Sequence, residues 1–292
     1  MSAAIPFDAQ ATGVAARPGI IRRLLRRPVA VGALAALVLI ALAAAAAPLI
    51  APYSPIELAP ADRFFGPSAA HWFGTDELGR DLFSRTLYAG RYALGIAVAS
   101  TLVATVLGLI WGFVAAMSRA WVDELLMRLA DVGMAIPQIL LGLVLAAAFG
   151  ASAVNLAVII GLILAPPTAR LMRSAALTEL ESDYCLAAVA AGASRWRILF
   201  SEVLPNTTPT LIVQGSLNAA SAILTEAALS FVGLGIQPPS ASWGTLVQQG
   251  YQNLDQNLWY VTFPGIMIFV TIWLLNIFAD QLQDALDPRR SA

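Results

Sequence analysis

The sequence predicts an all-α, polytopic membrane protein with six transmembrane helices. Of its 292 residues, 59% are hydrophobic and only 12% are charged, and the mean hydropathy is +0.74. A soluble domain usually keeps about a quarter of its residues charged. Because half that fraction leaves too little polar surface for a fold in water, the long apolar runs should face lipid.

Six apolar runs have the length of about 20 residues that an α-helix needs to cross a hydrocarbon core of about 30 Å. Residues 150–152 form a short turn between the third and the fourth run. We expect Pro137, Pro166 and Pro167 to kink their spans. The predicted spans cover residues 29–50, 92–117, 130–149, 154–172, 211–234 and 259–278.

The orientation follows from the distribution of arginine beside the spans. All 17 basic residues are arginine. If the N-terminus is cytoplasmic, four of them (Arg63, Arg80, Arg85 and Arg91) lie outside and the other 13 lie inside, as the positive-inside rule requires. Both termini are therefore predicted to be cytoplasmic. The chain then has an external segment at 51–90 and a cytoplasmic segment at 173–209.

The first span has a second interpretation as a cleaved signal peptide. It follows a basic region, and Ala45, Ala46 and Ala47 would serve as a small-residue cleavage site. Its apolar stretch is nearer to 20 residues than to the 7–15 or so of a signal sequence, which favours a permanent helix. The function predicted below is the same in either case.

Several kinds of active site are excluded. Without lysine the chain has no phosphate-binding loop of the form GxxxxGK[ST]. One cysteine and one histidine argue against a disulfide framework and a metal site, and we expect His71 to be structural. The sequence contains no HExxH, no GxSxG and no pair of mid-membrane aspartates, and it shows no inverted repeat of the secondary-transporter kind.

The cytoplasmic segment is predicted to form two short helices around a turn, which we call the elbow. Gly192 is suited to the positive φ that ends a helix, and Ser194 to the N-cap of the next one. Pro205, which has no N–H, should end the second helix. The apolar positions are Leu186, Ala187, Val189 and Ala190 in the first helix, and Ile198, Leu199, Val203 and Leu204 in the second.

Two roles for the elbow are open on its residues alone. It could lie on lipid headgroups as an interfacial helix, or fit into a groove of a soluble partner. The small side chains of Ala187, Ala188, Ala191 and Ala193 beside Gly192 suit close approach to a protein.

The fifth span carries a polar stripe on one helical face, formed by Gln214, Asn218, Ser221 and Thr225. The stripe suits either a translocation path or a subunit interface, and we hypothesise that it lines the path. Glu226 lies in the same span, where an ionisable group needs a partner. It is interpreted either as a packing hydrogen bond or as part of a gate. Gly108 and Gly112 form a GxxxG pair suited to helix contact.

The elbow resembles the EAA loop of bacterial ABC importer permeases, of the form E-A-A-x3-G-x9-I-x-L-P. The matching residues are Ala187 and Ala188, then Gly192 after three residues, then Leu204 and Pro205 after eleven more. Leu186 stands in the position of the glutamate and Glu202 in that of the isoleucine. The resemblance implies that Leu186, Ala187, Ala188, Gly192, Ala193, Ser194, Leu204 and Pro205 couple to an ATPase subunit.

Two further segments are similar to the dipeptide, oligopeptide and nickel branch of this family. One is the FGTDxxGRDxxSR signature after the first span, and the other is the run that begins at Glu226 and ends at Gly235. The conserved positions of the signature are matched by Gly74, Thr75, Asp76, Gly79, Arg80, Asp81, Ser84 and Arg85. The order of the three motifs resembles that of the second, C-type permease of such systems.

The resemblance implies a type I ABC importer transmembrane domain with an extra N-terminal helix. Residues 1–88 would hold the tail, the first helix and the external segment, and residues 89–285 the transmembrane domain with a coupling loop at 174–208. The implied partners are a second permease in a heterodimer, one or two ATPase subunits that bind ATP and magnesium, an external binding protein and membrane lipid, with no nucleic acid. The implied location is the bacterial inner membrane. The cargo is a peptide or, alternatively, nickel, an opine, glutathione or haem.

Overall fold

The computed structural model describes Leu24 and residues 27–286, and this part of the chain is helical with one isolated β-bridge, between Thr75 and Asp81. The predicted all-α class is confirmed. The arginines before residue 24 and after residue 286, together with Arg26, lie outside the described residues. The α-helices, in chain order, are α1 Pro28–Ala45, α2 Ala47–Ile50, α3 Leu82–Met117, α4 Ala120–Ala135, α5 Gln138–Phe149, α6 Ala153–Leu180, α7 Asp183–Ala190, α8 Arg195–Ile198, α9 Leu204–Phe231, α10 Trp243–Gln252 and α11 Trp259–Leu286.

Four of these helices, α1, α3, α6 and α11, are long and apolar enough to cross a membrane. α4, with 16 residues, and α5, with 12, are each too short to cross alone, and the pair is bent by 90° at the break between them. The prediction of one helix over residues 130–149 is therefore wrong. Ile136 and Pro137 take extended backbone angles at the break, where proline has no N–H to continue the helix.

The fifth predicted span, 211–234, corresponds to α9. At 28 residues α9 has the length to cross a membrane, but its polar residues make it less apolar than the four helices above. Length and composition thus support four of the six predicted spans, and a fifth if the bent pair of α4 and α5 is one span. The remaining span rests on the position of α9 between α6 and α11.

Two predicted boundaries are wrong for local reasons. α3 begins at Leu82, ten residues before the predicted start, because the side chain of Asp81 accepts a hydrogen bond from the Ser84 amide at 2.8 Å and caps the helix. Pro205 does not end a helix. It lies in the first turn of α9, where the missing N–H costs nothing, and a π-helical turn, Leu199–Val203, joins α8 to α9.

α3 and α6 form the most extensive helix pair and the centre of the core. A Cβ atom at Gly108 would lie 2.6 Å from the Thr168 side chain, and one at Gly112 would lie 2.5 Å from the Ala169 carbonyl. The predicted GxxxG contact is thus present. α6 runs without a break through Pro166 and Pro167, and the expected kink at these residues stays a prediction. α9, α10 and α11 pack beside this pair, and α1 lies against α11 and α3.

Candidate functional site

The elbow, residues 183–205, is attached to the helix bundle by a small apolar cluster. Cys185 of α7 and Val203 of the π-helical turn are buried against Phe113 of α3 and Met172 of α6. Ala188, Ala193 and Leu204 are partly buried against the same cluster. The elbow is therefore fixed to the ends of two core helices, so a displacement of the elbow would be transmitted to α3 and α6.

The turn of the elbow forms as its residues predict. Gly192 has a φ of +80°, and its amide donates to the Val189 carbonyl at 2.9 Å. The next amide, of Ala193, donates to the Ala188 carbonyl at 3.0 Å. The hydroxyl of Ser194 accepts from the Arg197 amide at 3.3 Å and caps α8. Both the glycine turn and the serine cap are confirmed.

The elbow also exposes apolar side chains, on the face of α7 that points away from the apolar cluster. Leu186 is 55% exposed and Val189 is 59% exposed, and both lie on the outward face of α7. Ala187, Gly192, Ser194 and Pro205 are exposed with them. An exposed face of small and branched apolar side chains around a tight turn is a surface that a partner protein can cover.

The polar stripe of α9 is joined to α6 at Asn218. The Gln214 side-chain amide donates to the Asn218 carbonyl oxygen at 2.9 Å, and the Asn218 amide donates to the Thr168 hydroxyl at 3.0 Å. Thr225 is also buried, and its hydroxyl donates to the Ser221 carbonyl at 2.8 Å. Gln214 and Ser221 are only partly buried. Within this chain the stripe therefore joins two helices, and its two partly exposed members are the ones that can also face a path.

Glu226 is buried at the end of α9, where the chain turns back toward α10. The Ser230 hydroxyl donates to one carboxylate oxygen of Glu226 at 2.6 Å and lies 3.2 Å from the Ser242 hydroxyl. Ser242 in turn caps α10 by a reciprocal pair of hydrogen bonds with Thr245. The hydrogen bond from Ser230 lies within α9, and the second carboxylate oxygen of Glu226 is buried without a hydrogen-bond partner among the described residues, so both interpretations of Glu226 stay predictions.

The segment between α2 and α3 is organised around the buried carboxylate of Asp76. It accepts from the Leu78 amide at 2.8 Å, the Arg80 amide at 2.9 Å and the Arg80 side chain at 2.6 Å, and it also pairs with Arg85. Two guanidinium groups and two backbone amides therefore compensate the negative charge of Asp76, which has no access to water. Glu77 adds a second pairing to Arg80 at 2.9 Å.

This cluster is joined to distant helices. Arg85 donates to Gln249 of α10 at 3.2 Å, and Tyr260 of α11 donates to the same oxygen at 2.8 Å. The Asn257 amide donates to the Thr75 carbonyl at 2.9 Å. The family signature thus holds the 51–81 segment against α10 and α11.

The remaining residues of the signature also have structural roles. Asp81 accepts from the Ser84 hydroxyl at 2.7 Å and lies 3.0 Å from Nδ1 of His71. Gly74 and Gly79 have φ values of +79° and +76°, and a Cβ atom at either would overlap a backbone carbonyl. His71 thus has a partner inside the segment.

Sequence reasoning missed the partners that lie far along the chain. Thr168 is 50 residues from Asn218, Gln249 is 164 from Arg85, and Asn257 is 182 from Thr75. α10 was not predicted either, although the Ser242 and Thr245 spacing is a capping signal that could have marked its start. The spacing of residues along the sequence does not indicate which residues form these long-range hydrogen bonds.

The arrangement agrees with comparisons to known proteins. Residues 104–292 match the family model described as "Binding-protein-dependent transport system inner membrane component". The chain belongs to this family. Residues 19–67 match a second model, the "N-terminal TM domain of oligopeptide transport permease C". The chain is thus a multi-pass inner membrane component of an ABC transport system that works with a binding protein.

Relatives of the chain are similar over nearly its whole length. The di/tripeptide transport system permease protein DppC of Pseudomonas aeruginosa is 39% identical over 89% of this chain and 88% of its own. The dipeptide permease DppC of Alkalihalophilus pseudofirmus is 36% identical over 97% and 93%. The glutathione permease GsiD of Pectobacterium atrosepticum is 38% identical over 92% and 89%.

The fold is similar to that of a solved ABC transporter. The match is to inward-facing conformations of the MetNI methionine ABC transporter, with a TM-score of 0.60 at 18% identity. It covers 70% of this chain and 98% of the other. This likeness confirms the predicted type I importer fold, with the N-terminal helix α1 present in addition.

Proposed function

We propose that the chain is a permease subunit of an ATP-driven importer of dipeptides or oligopeptides. The observation that carries this proposal is the 36–39% identity to permeases named for di- and tripeptides over most of both chains. A second permease of similar fold would complete the translocation path as a heterodimer. An external binding protein would deliver the solute, and residues 1–88 and 89–285 would form the two parts of the chain.

The elbow is the proposed contact with the ATPase. Support comes from the exposed Leu186 and Val189 beside the Gly192 turn and from the attachment of the elbow to α3 and α6. One or two partner subunits would bind ATP and magnesium and hydrolyse the ATP, since this chain has no lysine for a phosphate-binding loop. Closure of the ATPase would pull on the elbow and switch the spans between inward-facing and outward-facing arrangements.

The proposed orientation places both termini and the elbow in the cytoplasm of a bacterial cell. It is supported by the arginine distribution, with 13 of the 17 on the elbow side. The 51–81 segment and α10 would then face the binding protein. The partly exposed Gln214 and Ser221 would border the path, while Asn218, Thr225 and Glu226 would hold α9 in place.

Uptake of a labelled dipeptide, compared between a deletion strain and the same strain complemented with this gene, tests the proposed cargo. We expect the deletion to lower dipeptide uptake and the gene to restore it. Loss of glutathione uptake with unchanged dipeptide uptake would contradict the peptide proposal and favour glutathione, the solute for which the 38%-identical relative is named. Uptake of nickel, an opine and haem, measured in the same strains, tests these three solutes in the same way.

A further inference from the structure

An apolar groove of about 380 Å³ lies between the end of α3 and the elbow, and none of the roles above uses it. Ile110, Val114 and Met117 line it on the α3 side, and Arg195, Trp196 and Phe200 on the elbow side. Apart from Arg195, these side chains are apolar or aromatic. The groove is therefore suited to a hydrocarbon chain with a negative group at one end.

The groove lies beside the last two turns of the second predicted span, residues 92–117. Met117 is the last residue of α3, and Ile110 is seven residues before it. At 1.5 Å per residue the groove extends about 10 Å from the end of the helix, which is less than half of a hydrocarbon core of about 30 Å. In the proposed orientation this is the cytoplasmic leaflet, so the inference rests on that part of the proposed function.

The lining is open to the surroundings rather than closed by the chain. Ile110 is 56% exposed and Val114 is 49% exposed on α3, while Trp196 is 69% exposed and Phe200 is 59% exposed on the elbow. The two aromatic rings are stacked with centroids 6.1 Å apart. Tryptophan is enriched where the hydrocarbon core meets the headgroups.

The charge at the end of the groove is positive. Arg195 is exposed, and its guanidinium has no ion-pair partner among the residues that the structure describes; the same holds for Arg197 and for Arg119, two residues after Met117. Unpaired arginines at this level attract the anionic headgroups of the cytoplasmic leaflet. An apolar helix of a partner subunit would leave this charge unbalanced.

We propose that the groove binds an anionic phospholipid of the cytoplasmic leaflet, with an acyl chain between α3 and Trp196 and the phosphate at Arg195. The bound lipid would contact both the elbow and the core helix that the elbow is fixed to. The lipid composition of the membrane would then affect how the elbow moves relative to α3.

The test uses the full-length chain in phosphatidylcholine vesicles that contain 10 mol% (about one lipid in ten) of either brominated phosphatidylglycerol or brominated phosphatidylcholine. Bromine on the acyl chain quenches nearby tryptophan fluorescence. Trp196 is one of seven tryptophans, so its own signal is the difference between the wild type and Trp196→Phe. We expect the brominated phosphatidylglycerol to occupy the groove about fivefold more strongly, the gain that one arginine gives near a charged surface.

Two pairs of variants make the result specific. Arg195→Gln should remove the preference for phosphatidylglycerol, while Arg63→Gln, on the other side of the protein, should keep it. Val114→Phe, which fills the groove, should lower the Trp196 signal for both lipids, while Val98→Phe, also exposed on α3, should leave it unchanged.

Equal quenching by the two lipids would overturn the proposal, and so would the absence of any Trp196 quenching, which would indicate that protein covers the groove. Neither outcome depends on the uptake assay, so failure of the peptide proposal is recognised separately.

Discussion

Asp76 is the residue that determines the shape of the 51–81 segment. Its carboxylate is fully buried and pairs with both Arg80 and Arg85. Arg85 extends the cluster to Gln249 of α10. A buried ion pair is costly to break because the remaining partner keeps its charge without compensation.

Asp76→Asn should lower the free energy of unfolding by about 3–5 kcal/mol, since it leaves the buried guanidinium of Arg85 without its counter-charge and Arg80 with Glu77 as its remaining ion-pair partner. The measurement is SDS-induced unfolding of the purified chain, followed by circular dichroism. Glu77→Gln is the control, because the Glu77 side chain is 27% exposed and, among the residues that the structure describes, forms an ion pair only with Arg80. Equal unfolding curves for the two variants would contradict the central position of Asp76.

The single residues that the sequence predicted correctly are those whose role is local. Gly192 and Ser194 have the conformation and the cap that their own chemistry favours. The partners of Asn218 and Arg85 were not predictable in this way. Thr168 and Gln249 meet them only because helices far apart in the chain pack together.

At the scale of the helices, the contact of α3 with α6 depends on small side chains. Gly112 lies so close to α6 that an added Cβ would be 2.5 Å from the Ala169 carbonyl and 2.9 Å from the Met172 Cβ. Backbone on the opposite helix cannot move aside as a flexible side chain can. A methyl group at this position must therefore separate the two helices.

Gly112→Ala should destabilise the chain by about 1–3 kcal/mol, the usual cost of overpacking a tight contact. Gly95→Ala on the same helix is the matched control, because nothing lies within 4 Å of its Cβ position. It should be neutral or slightly stabilising, as alanine favours a helix. Thermal unfolding in detergent compares the two, and a larger effect at Gly95 would show the packing to be misassigned.

The elbow depends on the positive φ of Gly192 and on the hydrogen bond that its amide donates to Val189. Proline at this position cannot take a positive φ, because its ring fixes φ near −65°. It also cannot donate this hydrogen bond, because it has no N–H. Gly192→Pro should therefore abolish the stimulation of ATP hydrolysis by the loaded binding protein in the reconstituted complex, while the protein is still inserted. Gly192→Asn, which tolerates this conformation, should retain most of it. Normal stimulation in the proline variant would exclude the elbow from coupling.

The stripe of α9 predicts unequal access to water. Cysteine at Gln214 or Ser221, both partly exposed, should react with a membrane-impermeant thiol reagent in transporting vesicles. Cysteine at Asn218, which is 2% exposed against α6, should not. The native Cys185 is buried, so the wild type is the unreactive reference. Protection of all three positions in every transport state would exclude the stripe from the path.

For the whole molecule, composition and hydropathy predicted the all-α class and most of the spans, because lipid exposure dominates the choice of residues there. Composition and hydropathy did not predict the break between α4 and α5 or the start of that span at residue 120. The 120–135 helix carries Asp123, Glu124 and Arg128, so it was not recognised as the continuation of an apolar run. The less apolar α9 was predicted as a span, and one of its polar residues, Asn218, has a partner on α6 that only the folded bundle provides.

The central claim is that an ATPase subunit covers the elbow face of α7. A photo-crosslinking amino acid at Val189, 59% exposed, is compared with one at Leu58, 60% exposed in the 51–81 segment, in the complex purified from its native membrane. We predict that the probe at Val189 crosslinks to a subunit with a phosphate-binding loop and that the probe at Leu58 does not. If the probe at Val189 reacts only with lipid in a complex that hydrolyses ATP, the coupling role of the elbow is contradicted.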